Sequence, residues 1–146
     1  MKYSQGDIGR VFIANFEHGD DLLSELRGFV EKENISFATI NFLGAVSEGD
    51  IVIGPKGMTL PADPNMVSLS GAWETVGFGT IIRGKDGVEI HVHASFGKGG
   101  DVLVGCLRKN SKIFITIEAL ITEVRHVSAV KEFDRKTGHK TLKFLG

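Results

Sequence analysis

The 146-residue chain has one cysteine, one tryptophan, one tyrosine and three prolines. A single cysteine excludes an internal disulfide, and a lone thiol in a reducing compartment serves as packing, ligand or nucleophile. A cytoplasmic location is therefore expected. The opening MKYSQGDIGRVFIANF contains no apolar run of signal-peptide length and reads as a strand. Nor does any segment approach the ~20 apolar residues of a membrane-spanning helix, so no membrane partner is expected. An excess of one charge is missing too: 17 Lys and Arg stand against 18 Asp and Glu, for a net charge of −1. Such a chain generates no broad positive field to draw it to phosphate backbones.

Several catalytic signatures are also absent. Gly77-Phe78-Gly79-Thr80 has two glycines but no third and no following helix, so it makes no dinucleotide fingerprint. No serine stands in a nucleophile-elbow context, and no phosphate-binding loop occurs.

What is present is the composition of a globular protein, 42% hydrophobic and 24% charged. The length suits one domain over residues 1–146 with a sizeable core. Nineteen glycines are scattered through the apolar runs, which points to tight turns and close backbone approaches.

Residues 8–16, IGRVFIANF, read as a strand. GDDLLSELRGFVEKEN then carries Leu22, Leu23, Leu26, Phe29 and Val30 on one helical stripe, with Asp20 and Asp21 at the positive end of the helix. Strand-like segments follow: ISFATINF, AVSEGDIVI, MVSLSGAWETVGFGTIIRG, VEIHVHASF, DVLVGCL and KIFITIEALITEV. GPKGMTLPADPN, with all three prolines, reads as a loop, and RGKDGVE as an Asp-Gly hairpin turn. A turn is expected at Lys136–Gly138 before a short last strand. The expected class is α+β, a central and largely antiparallel sheet with one main packed helix.

In VEIHVHASF the pleat sends Val88, Ile90, Val92, Ala94 and Phe96 to one face, and Glu89, His91, His93 and Ser95 to the other. A two-residue turn at Lys98-Gly99 sets Cys106 opposite His91; one at Gly99-Gly100 sets it opposite His93. A three-residue loop without a bulge turns the sulfur to the other face. Two imidazoles and a thiolate make a good zinc donor set with an open fourth position, and copper is chemically allowed. The competing reading is a half-exposed strand with a small buried thiol.

Other residues weigh less. Glu118 interrupts an apolar strand, aligned with Phe114, Thr116 and Leu120 and opposite Ile113, Ile115, Ile117 and Ala119. It is the candidate general base or fourth ligand. His18, His126 and His139 have no ligating neighbour in local register and read as surface histidines. Asp101 reads as a turn residue close enough to reach a bound metal, Trp73 and Phe78 as core or subunit-contact residues, and Arg108–Lys112 as a short basic turn.

As an ensemble these segments resemble the plant and prokaryote conserved (PPC) domain family. GRVFIANFEHGDDLLSELRGFVEKENI is similar to its strand and Glu-Asp-Leu helix, INFLGAVSEGDI to its glycine turn, VSLSGAWE to its Ser-Leu-x-Gly strand, and HVHASFGKGGDVLVGCL to its His-x-His-x-Ser hairpin. The resemblance implies an α/β-type unit that assembles as a homotrimer. It also implies a metal site on His91 and His93, with Cys106 standing where many prokaryotic members have a third histidine. DNA binding in the plant members belongs to AT-hook segments, which this chain lacks; its Arg27-Gly28 and Arg83-Gly84 pairs fall in a helix and a turn. The expected function is a homotrimeric, zinc-binding module. DNA association follows by family alone, the small-molecule ligand is unknown, and the alternative is a metal-dependent hydrolase using Glu118 or Glu89 for proton transfer.

Overall fold

Alternating apolar and polar residues build most of the computed structural model, which describes residues 1–84 and 86–145. Strands hold 69% of the described residues and helix 8%, so the fold is largely β and corrects the expected α+β class. Among the described residues a single helix of 11 residues stands against eight strands, and two parts of the second strand, ISFATINF and AVSEGDIVI, read separately in the sequence. They run together as one strand, β2 (Phe37–Pro55), paired along nearly its whole length with the equally long β3 (Pro64–Gly84). Gly44 joins the two halves. Its φ of +148° is one that side chains disfavour, and a Cβ there would lie 2.2 Å from the Thr116 carbonyl oxygen.

The first strand is β1 (Asp7–Glu17), followed by helix α1 (Leu22–Lys32). Asp21 caps the helix by accepting the Ser24 N–H at 3.0 Å. Leu22, Leu26 and Val30 form the fully buried stripe that the sequence spacing predicts. The helix is shorter than the expected segment because Gly19 donates its N–H to the Ile113 carbonyl, and Asn34 leaves the helical region at φ 53°.

After β3 come β4 (Gly87–Lys98), β5 (Asp101–Lys109) and β6 (Ile113–Arg125). β3 and β4 close by pairing Gly84 with Gly87; Lys85, within the predicted Asp-Gly turn, lies outside the described residues. The sheet order is β1-β6-β2-β3-β4-β5, and every pairing is antiparallel. β2 pairs with β6 through Ala38–Val46 and then with β5 through Asp50–Val52, so the sheet curls and closes on itself. One face, with Phe16, Ile40, Ile51, Ile81, Phe96 and Ile121, packs into a common core with the helix stripe. The chain ends in a separate hairpin, β7 (Ala129–Asp134) and β8 (His139–Phe144), turning at the expected Lys136–Gly138. Among the described residues no helix is long and apolar enough to cross a membrane.

β6 departs from simple alternation. A bulge opposite Gly44 and Ala45 gives Ile115 a φ of 64° and turns it outward, while Ile113 and Ile117 stay buried. The expected face shared by Ile113, Ile115 and Ile117 is therefore broken at Ile115.

The open end of the sheet is pinned by charge. The Glu123 carboxylate, whose side chain is 9% exposed, accepts from Arg10 Nε at 2.9 Å and from Arg125 Nε at 3.1 Å. Arg10 also reaches Glu33 beyond the helix at 3.0 Å, which ties β1, β6 and α1 together. The side-chain hydrogen bond from Arg10, ahead of the other contacts, lowers the Glu123 carboxyl to about 2. This value lies below that of an unfolded glutamate, so the pairing stabilises the fold above about pH 4.5 and is lost as pH falls toward 2. Thermal denaturation of Glu123→Gln is expected to show a melting point several degrees below wild type at pH 7. The gap should close between pH 4.5 and pH 2; a gap independent of pH would remove the charge from this account.

Candidate metal centre

β4 keeps the predicted alternation. Val88, Val92, Ala94 and Phe96 are buried, while His91 and His93 stand on the outer face. The turn to β5 is Gly99-Gly100, since Lys98 pairs with Asp101, and Gly99 takes φ +63°. Of the registers open to the sequence, this one sets Cys106 opposite His93. Cys106 also pairs with Val52 as β2 closes on β5. The neighbouring Gly105 permits that approach, because a Cβ there would lie 2.7 Å from the Val52 carbonyl oxygen. The thiol is thus covered, at 5% exposure, while it shares the face of the imidazoles.

The three side chains converge. His91 Nε2 and His93 Nε2 are 3.1 Å apart, with the rings edge to face at 80°. One ligand atom from each of His91, His93 and Cys106 falls within 4.8 Å of the others. Two imidazole nitrogens on a tetrahedral zinc ion stand about 3.3 Å apart, so the histidine pair fits such an ion in spacing and the three donors fit it in type. Burial, followed by the positive charges of Lys131, His93, Arg108 and His139, lowers the His91 imidazole to about 4 although part of the residue stays open to solvent. His91 is therefore a neutral donor across the physiological range. Burial pushes the Cys106 thiol up, against the pull of Arg108 and Lys131.

Residues 3–125 match the Plants and Prokaryotes Conserved (PCC) domain. The chain belongs to this family. No curated protein matches it. Among solved structures, the chain is similar to a metal-containing protein from Archaeoglobus fulgidus, with 22% identity over 100% of both chains and a TM-score of 0.86. It is likewise similar to a plant- and prokaryote-conserved protein from Pyrococcus horikoshii, with 22% identity, 100% and 99% coverage and a TM-score of 0.83. A Ralstonia eutropha protein provisionally called DNA-binding shares 18% identity over 91% and 90% of the two chains, with a TM-score of 0.76. Identities this low establish a shared fold.

Within this PCC-domain chain the other candidates separate from the cluster. Glu118 is exposed on β6, opposite Asn15 and Leu43, and lines a hollow of about 860 Å³ with Ile13, Asn41 and Leu120. Three strand spacings, about 14 Å, divide β6 from β4, so Glu118 stands apart from the three donors. Glu89 shares the outer face of β4 but is ion-paired to Lys140. Asp101 sits at the far end of the hairpin, opposite Lys98. His18 Nδ1 accepts the Ile115 N–H at 3.2 Å, and His126 pairs with Asp7 at 2.8 Å. Phe78 lies directly across from His93 and is 51% exposed, whereas Trp73 donates to the Ser70 carbonyl beneath the Lys98 ammonium.

Three residues beside the centre were not singled out as parts of a site by sequence. Arg108, His139 and Lys131 line the hollows that contain His91, His93 and Cys106. Arg108 was legible, since it follows Cys106 by two and shares its face. Lys131 and His139 arrive on the β7–β8 hairpin, which carries no local sign of its docking.

A thiol that is protonated before it ligates as thiolate, beside an imidazole that is already neutral, fixes the proton balance. Zinc added to metal-free protein at pH 8 in weak buffer is expected to release about one proton per ion, from Cys106. Cys106→Ala should release none; equal release from both proteins would take the thiol out of the donor set.

Proposed function

We propose that the chain is a homotrimeric, metal-binding module that holds one zinc ion per subunit through His91, His93 and Cys106. The observation that carries this reading is the pairing of His93 with Cys106, with His91 two residues along the same face and all three donor atoms within 4.8 Å. Two imidazoles and one thiolate suit zinc, and three protein donors leave a fourth position open. When bound, the ion supplies Lewis acidity at that position. The role of this chain's own residues is to fix the donors. β4 aligns the imidazoles, the Gly99-Gly100 turn sets the register, and Val52 covers the thiol from the β2 side. A reduced thiol as ligand also fits a cytoplasmic setting.

Trimer formation is supported by the outer face of the sheet. Ile13, Leu43, Leu120, Val76, Phe78 and Val104 are all exposed there, an apolar surface of the kind that subunit contacts bury. We assign no DNA contact, because 17 basic residues are balanced by 18 acidic ones. A hydrolase reading lacks its acid–base group, since Glu89 is held by Lys140 and Glu118 stands three strands away.

Two measurements test this. Elemental analysis of untagged wild type should find one zinc per chain. His93→Ala and Cys106→Ala should weaken zinc binding by more than about 100-fold, beyond the usual cost of changing a residue outside the ligand set; unchanged zinc in both variants defeats the assignment. Sedimentation velocity should give three chains for wild type, and Leu120→Asp should yield a folded monomer. A monomeric wild type would sink the trimer.

A further inference from the structure

We propose that the mouth of the metal centre is an oxyanion site, where Arg108, Lys131 and His139 hold a small phosphate- or carboxylate-bearing molecule over His91, His93 and Cys106. This deepens the metal-binding reading and rests on it.

The first ground is placement. One hollow of about 340 Å³ is lined by His93, Cys106, Arg108 and His139. A second, of about 510 Å³, is lined by His91, Arg108, Lys131, His139 and the Lys140–Glu89 ion pair. Arg108 and His139 belong to both, so the hollow beside His93 and Cys106 and the hollow beside His91 adjoin at these two side chains. Arg108 comes from β5, whereas Lys131 and His139 come from the β7–β8 hairpin, beyond the residues that match the family domain.

The second ground is unmatched charge. Lys140, on the same rim, is ion-paired with Glu89. Among the described residues, the side chains of Arg108 and Lys131 have no hydrogen-bonded or ion-paired carboxylate, although Lys131 is half-buried. The Lys131 ammonium shares the charge of the Glu89 carboxylate with Lys140, and Arg108 adds a third cation, so the rim holds more cations than carboxylates, which is unfavourable where it is partly covered. The donor set does not relieve it: a divalent ion held by two neutral imidazoles and one thiolate keeps a positive charge. The site therefore carries an excess of positive charge next to an open coordination position. A ligand with two or three oxygens can meet the ion with one and the cations with the others, which a neutral or cationic molecule cannot do. The planar guanidinium of Arg108 matches phosphate and carboxylate geometry, and the Lys131 ammonium adds a point charge. Hollows of this size suit a small molecule.

The test measures zinc and anion binding separately. Zinc-loaded wild type is titrated calorimetrically with inorganic phosphate and with acetate, beside Arg108→Gln and Lys131→Gln, and zinc per chain is determined for each protein. The expected result is one anion per chain in wild type and at least about tenfold weaker binding in each variant, with zinc content unchanged. Tighter phosphate binding assigns a phosphoryl ligand and tighter acetate binding a carboxylate, and either order supports the site. Equal affinity in wild type and both variants, or no anion bound by zinc-loaded wild type, overturns the proposal while the metal reading stands. A wild type that takes up no zinc removes both, and the zinc measurement alone identifies that outcome.

Discussion

The close approach of β5 to β2 is the constraint on which the rest of the structure depends. β2 hydrogen-bonds to β6 only as far as Val46, because its partner there, Ile113, is the first residue of β6. Its second half is left with an open edge, and β5 fills it at Asp50–Val52. That contact needs a residue without a side chain at 105, where any Cβ would meet the Val52 carbonyl. Closure leaves fewer open strand edges, buries Ile51 and Leu107 between the strands, and holds Cys106 in a covered position beside the histidines.

The same geometry explains why donors and apolar residues share one surface. Following the pairings across the sheet, Ile13, Leu120, Asn41, Phe78, His93, Cys106 and Val52 form a single row. The helix covers the opposite face with Leu22, Leu26 and Val30, so the outer face keeps whatever the pleat gives it. At one end the row is an apolar strip. At the other it carries two imidazoles and a thiol, flanked by Arg108 and by the cations of the C-terminal hairpin. Phe78 stands where the two meet, directly across from His93.

Individual residues show where reading the sequence reached its limit. The helix stripe, the inward Val92 and Phe96, and the shared face of His91 and His93 follow from periods of 3.6 and 2, so local pattern suffices for them. The Cys106 register followed only as far as a choice between turns, because Lys98-Gly99 and Gly99-Gly100 have similar chemistry. Ile115 defeated alternation through a bulge that depends on its partner strand. At Gly44 a glycine between two apolar runs looks like a break between strands but serves as a bend within one strand.

What the sequence by itself determined is the shared face of His91 and His93 on one strand and the buried helix stripe, both fixed by neighbours within a few residues, and the absence of a strong net charge, fixed by composition. The tertiary structure alone decided the partner of Cys106, the closure of the sheet through β2, the distance of Glu118 from the centre, and the arrival of Lys131 and His139 beside it. Those depend on strand order and on hairpin docking, which join residues far apart in the chain. No local periodicity encodes the free energy of such contacts.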